Sequence, residues 1–136
     1  SGIWFMDKFV WDSEKYGIGH ELIDHHHHVL MDMVNTVIDL SHQESPSKSD
    51  YIQVLMKVSD YSHYHFKAEE GLLATIDYPE FDRQHDEHIA FSEKASLLVT
   101  SCDLSQLKKT AHFLKQSLEE HILVEDMKFR PYLSGK

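Results

Sequence analysis

The sequence predicts an all-α protein, an antiparallel up-down-up-down four-helix bundle with an N-terminal arm. Three observations lead there. Apolar residues recur with the 3.6-residue period of amphipathic helices over four separate stretches, and no stretch alternates as a strand would. The breaks between the stretches are short, which favours antiparallel neighbours. Histidines and carboxylates recur on the same faces as the core residues, so the bundle is expected to enclose a polar site. Residues 1–136 read as a single domain of ordinary size.

The arm, residues 1–21, is rich in aromatics and glycine without a sustained period, and reads as an extended segment laid across the bundle. Helix one, about 22–41, carries Ile23, Leu30, Met31, Val34, Val37 and Ile38 on one face, and Ser45-Pro46-Ser47 breaks it. Helix two, about 49–76, aligns Tyr51, Val54, Leu55, Val58, Leu72, Leu73 and Ile76 with Ser62, His65 and Glu69. Helix three, about 79–101, follows Tyr78-Pro79, where proline suits a first turn. Its face is Phe81, Gln84, His88, Phe91, Ala95 and Leu98. Asp103 is the expected cap of helix four, about 104–129, which aligns Leu104, Leu107, Ala111, Leu114, Leu118, His121, Ile122 and Phe129. Pro131 and Gly135 are expected to close it.

The bulk numbers exclude several function classes. A formal net charge of −10 argues against phosphate-backbone binding and supplies no polybasic patch for a membrane surface. No stretch approaches the ~20 apolar residues of a membrane span. Cys102 stands alone, so no internal disulfide forms. It fits a reducing, cytoplasmic setting as a structural residue at a helix end.

Histidine is the residue that stands out, with 12 in 136 positions. A buried Glu costs several kcal/mol unless it is paired or bound to metal. A lone buried His is ordinarily a hydrogen-bonded core residue, but inward His, Glu and Asp on four helices make metal the simplest compensation. Imidazole with carboxylate and no thiolate favours iron, manganese or zinc. The run His25–His28 lies inside a periodic helix, unlike an affinity tag.

The motifs then resemble a known family. Phe9-Val-Trp11-Asp-Ser, Tyr16-Gly-Ile-Gly19 and Ile23-Asp24-x-x-His27-x-x-Leu30 are similar to the start of a hemerythrin domain. His65-Phe66-x-x-Glu69-Glu70, Tyr78-Pro79 leading to His88-x-x-Phe91, and His121-Ile122-x-x-x-Asp126 are similar to its other three helices. The resemblance covers residues from about 9 to 133.

It implies a non-heme di-iron centre, two iron ions joined by an oxo or hydroxo bridge, that binds O2 or another small diatomic or anionic ligand. Carried over by position, His27 and His65 are ligands of one iron, His88 and His121 of the other, and Glu69 and Asp126 bridge them. His25, His26 and His28 are expected to be solvated or to stand behind the ligands. Leu30, Phe66, Ser117, Leu118 and Ile122 form the implied O2 pocket, and each also reads as ordinary core or helix surface.

Two positions depart from the pattern. The family places a histidine four residues before His88, where this chain has Gln84, and His85 lies one residue closer. Either the site lacks one histidine, which is the preferred reading, or His85 reaches in. The family commonly has a large aromatic where this chain has Ser117, so water gains a path, or the arm covers the gap.

The favoured function is an O2- or redox-sensing domain, such as the N-terminal sensor of a diguanylate cyclase or chemotaxis receptor with a C-terminal output domain. A stand-alone O2 carrier is the second reading. An enzyme reducing O2, peroxide or nitric oxide ranks third, because no dedicated acid–base residue or reductant site stands out.

Overall fold

The computed structural model describes residues 6–133, so Gly135 and the first five residues of the arm lie outside the description. Four long helical columns form the bundle: α2 (Glu21–Ser41), α3 (Lys48–Thr75), α4 (Phe81–Ser101) and a composite last column. A short α1 (Ser13–Tyr16) precedes them. The fold is all-α, as the periodicity predicts.

Local chemistry sets the boundaries. The Ser47 hydroxyl accepts the Asp50 N–H and starts α3. Asp103 accepts the Ser105 N–H, and so caps the last column as expected. Cys102 closes α4 in a left-handed conformation with φ 38° and is buried.

The arm is not extended throughout. Asp12 caps the single turn of α1, and Tyr16 turns inward beside Phe9. Asn35 of α2 pins the arm by exchanging two hydrogen bonds with the Phe9 backbone, at 2.7 and 3.0 Å. Asp24 accepts the Ile18 N–H at 2.8 Å. Trp11 stacks on His28, which is exposed on its other side.

The last column departs most from its expected form. It begins as a 3-10 turn (Leu104–Gln106), continues as α5 (Leu107–Glu120), widens to a π-helix (His121–Asp126), and returns to α6 (Met127–Leu133). Pro131 does not end it: α6 runs through the proline to the last described residue. A proline there removes one backbone hydrogen bond, and the rest of the turn remains.

Two apolar clusters fill the interior. The larger joins Leu30, Val34, Val37, Ile38, Tyr51, Leu55, Ala111 and Leu114. The smaller joins Ile18, Ile23, Leu73, Ile76, Tyr78 and Phe129 at the opposite end. Between them lies a layer that is mostly histidine and carboxylate. α3 packs on both α2 and α4, and α5 packs on α2, while the α4–α5 seam is looser.

Candidate metal centre

The polar layer takes a side chain from every column of the bundle. His27 projects from α2, His65 and Glu69 from α3, His88 from α4, and His121 and Asp126 from the last column. His27, His65, Glu69 and Asp126 are fully buried, and His88 nearly so. His65 and Glu69 stand one helical turn apart and therefore face the same way, with 3.2 Å between Nε2 and Oε2.

His121 and Asp126 are five residues apart, which on an α-helix would point them about 140° away from each other. The π-helix over these six residues, with its i→i+5 hydrogen bonding, removes that divergence. His121 Nε2 and Asp126 Oδ2 end 3.0 Å apart. The five-residue step from His121 to Asp126 is therefore spanned by a π turn.

Ligand atoms of His27, His65, Glu69, His121 and Asp126 all lie within 4.8 Å of one another. His88 joins from the side, its Nε2 3.0 Å from Glu69 Oε1. Glu69 thus faces His88 with one oxygen and His65, His121 and His27 with the other. Its partner carboxylate, Asp126, is 2.9 Å from His27 Nε2 through Oδ2.

Several of these atoms lack hydrogen-bond geometry despite their closeness. His27 Nε2, Glu69 Oε2 and Asp126 Oδ2 are buried without a hydrogen-bond partner among the described residues. Atoms that converge on a common point rather than on each other behave this way. A cation at that point would satisfy them together, and nitrogen with carboxylate oxygen is a donor set that suits a transition metal. The residues present fit a metal.

The electrostatics point the same way. Burial pushes the Asp126 carboxyl up, and the neighbouring Glu69 charge adds to it. Glu69 is held well below the usual carboxylate range: burial opposes this, but His121 and His65 outweigh it. Burial drives His65 down to about 3, so its ring is neutral and free to donate a lone pair. Burial also disfavours charge on His27 and His121, yet the two carboxylates overcome it and raise both. Positive charge is therefore favoured beside the two carboxylates, at His27 and His121, but not at His65.

Gln84 is buried one turn before His88, as its register requires. Its Nε2 donates to the Glu125 carbonyl at 3.2 Å and to Asp126 Oδ1 at 3.4 Å. Its Oε1 has no partner among the described residues. His85 points elsewhere, half-exposed, with its Nδ1 2.9 Å from Glu70 Oε1. The structure does not bring it to the cluster.

A cavity of about 370 Å³ opens where α4 and α5 separate. Leu30, Phe66, Ser117 and Leu118 line it, and His88 and His121 form part of its wall. Ser117 is partly exposed, and no described residue of the arm lines the space beside it. Ile122 is buried in the larger apolar cluster and does not line the cavity.

A family model, the hemerythrin HHE cation binding domain, matches residues 18–133. The chain belongs to the hemerythrin family. It is 29% identical over 127 residues to a bacteriohemerythrin of Clostridium acetobutylicum, covering 89% of this chain and 98% of that protein. A hemerythrin-like protein of Naegleria gruberi is 28% identical over 125 residues, covering 92% and 93% of the two chains. A wild-type hemerythrin crystal structure superposes with TM-score 0.83 at 25% identity, covering 93% of this chain and 98% of that one. This hemerythrin domain is a metal-binding one. Among the described residues no helix is long and apolar enough to cross a membrane.

Of the two expectations for His26, solvated or behind the ligands, the structure shows the second, while the contact of Glu70 escaped sequence reasoning. His26 is buried, with its Nδ1 3.1 Å from His65 Nδ1. Glu70 lies between His85 and His88. The sequence signals were only a histidine run and a doubled glutamate.

Proposed function

We propose that this hemerythrin domain holds two iron ions through His27, His65, Glu69, His88, His121 and Asp126, and that it reports O2 by changing oxidation state. Bound iron supplies the two electrons that O2 takes up; the chain's residues decide how long the loaded state lasts. Leu30, Phe66 and Leu118 give the ligand an apolar wall. Ser117 leaves that wall open on one side, so water reaches the edges of His88 and His121. Gln84 holds Asp126 by a hydrogen bond but offers no imidazole.

The observation that carries this reading is the cavity beside His88 and His121, with a small polar residue in its lining. A store for O2 needs a wall that keeps water out. An open one shortens the life of the loaded state and favours a switch. The switch has a lever in the last column, where the π turn ties His121 and Asp126 directly to α6. A signal requires that the two oxidation states differ in shape or in affinity for an output domain or partner.

Optical spectra of the iron-loaded protein under argon and then air provide the test. Conversion to the oxidised state within minutes, with different hydrogen exchange over 118–133 in the two states, supports the sensor. A lasting oxygenated spectrum would make the protein a carrier, and steady turnover with an electron donor would make it an enzyme.

A further inference from the structure

Glu70 follows Glu69 on α3, and consecutive helical residues project about 100° apart. Glu69 therefore enters the metal centre while Glu70 runs along its flank towards α4. There its carboxylate meets two rings. His88 Nδ1 donates to Oε2 at 2.8 Å, and His85 Nδ1 lies 2.9 Å from Oε1. The His88 ring also stacks on Phe66, with centroids 4.0 Å apart and planes 9° from parallel. With Nε2 facing Glu69, the ring is fixed by its edge, its face and its tip.

A carboxylate can only accept, so Glu70 draws a proton to Nδ1, as Glu69 draws one to Nε2 in the metal-free chain; once a cation takes Nε2, Nδ1–H to Glu70 is the one hydrogen bond the ring can donate. The other rings are backed differently. His65 Nδ1 meets the ring of His26. His27 Nδ1 has no hydrogen-bond partner among the described residues. Every carboxylate close to His27, His65 or His121 approaches through Nε2, on the metal-facing side. Among the described residues only His88 has an anion behind it. It is also the ring that shares a helix face with Gln84, one turn away.

Resting on the two-metal reading above, we propose that Glu70 is a positioning residue for His88, and that its charge compensates for the imidazole missing at Gln84. A carboxylate on the far nitrogen makes an imidazole a stronger donor. The metal on this side then has fewer histidines but a more basic one. Glu70 touches no metal; it acts through His88.

Two measurements test this. The first is 15N NMR of the metal-free chain, which reads the tautomer of His88 directly. The parent ring lies between two carboxylates and should hold Nδ1 protonated, and Glu70→Gln should shift the proton towards Nε2, where Glu69 still accepts. The second is anaerobic Fe(II) titration. Glu70→Gln should weaken one of the two sites by about ten- to a hundredfold. Gln84→His, placed in the Glu70→Gln background, should recover most of that loss, which a merely structural role for Glu70 would not allow. His85→Ala, which removes only the solvent-side contact, should cost about twofold or less, because exposed pairs contribute little.

An unchanged His88 tautomer in Glu70→Gln would overturn the positioning role. Loss of affinity that Gln84→His does not repair would overturn the compensation. A parent chain that binds a single iron would instead overturn the two-metal reading and the compensation with it, while the NMR result still judges the positioning role on its own.

Discussion

Around Val37, Ile38, Leu55 and Ala111 the helices close over hydrocarbon, and these side chains are all but inaccessible to water. About three turns along α2, at His27, the same four columns close over imidazoles and two carboxylates. Burial is complete at Val37 and Ile38 and at His27, Glu69 and Asp126 alike, but its sign differs between the two regions. In the first it stabilises the fold at roughly 25 cal/mol for each Å² of apolar surface removed from water. In the second it costs free energy until a cation gathers the converging atoms. One half of the bundle therefore holds the helices in register, and the other uses that register to hold a metal.

The comparison breaks most visibly at the carboxylates. Replacing Glu69 or Asp126 with Ala removes the group that spans the cluster, and iron per chain should fall from two to one or none by elemental analysis. The melting temperature of the iron-loaded protein should fall as well, because metal bound only by the folded state stabilises it. Full iron content in both variants would show that neither carboxylate is a ligand.

The matching change in the hydrocarbon half is Ile38→Ala. A cavity at that position should cost about 2–5 kcal/mol in denaturant unfolding. Iron content should stay at the parent value, since the side chain lies away from the polar layer. A loss of iron in the folded variant would mean that the two halves are not separable in this way.

The difference between the halves also explains what could be read from the sequence. Hydrocarbon burial leaves a 3.6-residue period, so the four columns were legible from Ile23 to Phe129. Inward His65, Glu69 and His88 were legible for the complementary reason, because such residues are costly on a core face. The π turn was not, since π and α segments share their composition. Its only trace was the five-residue step from His121 to Asp126. Pro131 misled because a proline usually marks an end, and here the column continues through it. Which ring His26 stands behind, and what Glu70 meets, were hidden because their partners, His65 and His88, lie on other helices. Periodicity tells which way a side chain faces and is silent on what it meets.

Within the polar layer, Gln84→His sharpens the contrast. It adds an imidazole on the face already occupied by His88, and leaves the hydrocarbon half untouched. The oxygenated form should live about tenfold longer, equivalent to about 1.4 kcal/mol on the barrier to its decay. Stopped-flow spectra of the reduced protein mixed with air measure this. An equal or shorter lifetime would show that the buried amide does not limit the site.

Ser117→Trp has the smallest expected effect and separates solvent access from ligation. Residue 117 lines the cavity but is not one of the groups that converge on the metal position. A Trp there has open volume to occupy, so it should enter without the overpacking penalty of a filled core. It would restore an apolar wall beside His88 and His121 and leave every donor atom in place. Air oxidation should slow by about threefold, which is under 1 kcal/mol on the barrier. The Fe(II) affinity should not change. Combined with Gln84→His, the two effects should multiply if one acts on ligation and the other on water entry. If Ser117→Trp leaves the oxidation rate unchanged while Gln84→His lengthens the lifetime, water entry through the α4–α5 seam does not limit the loaded state, and ligation at position 84 alone sets its lifetime.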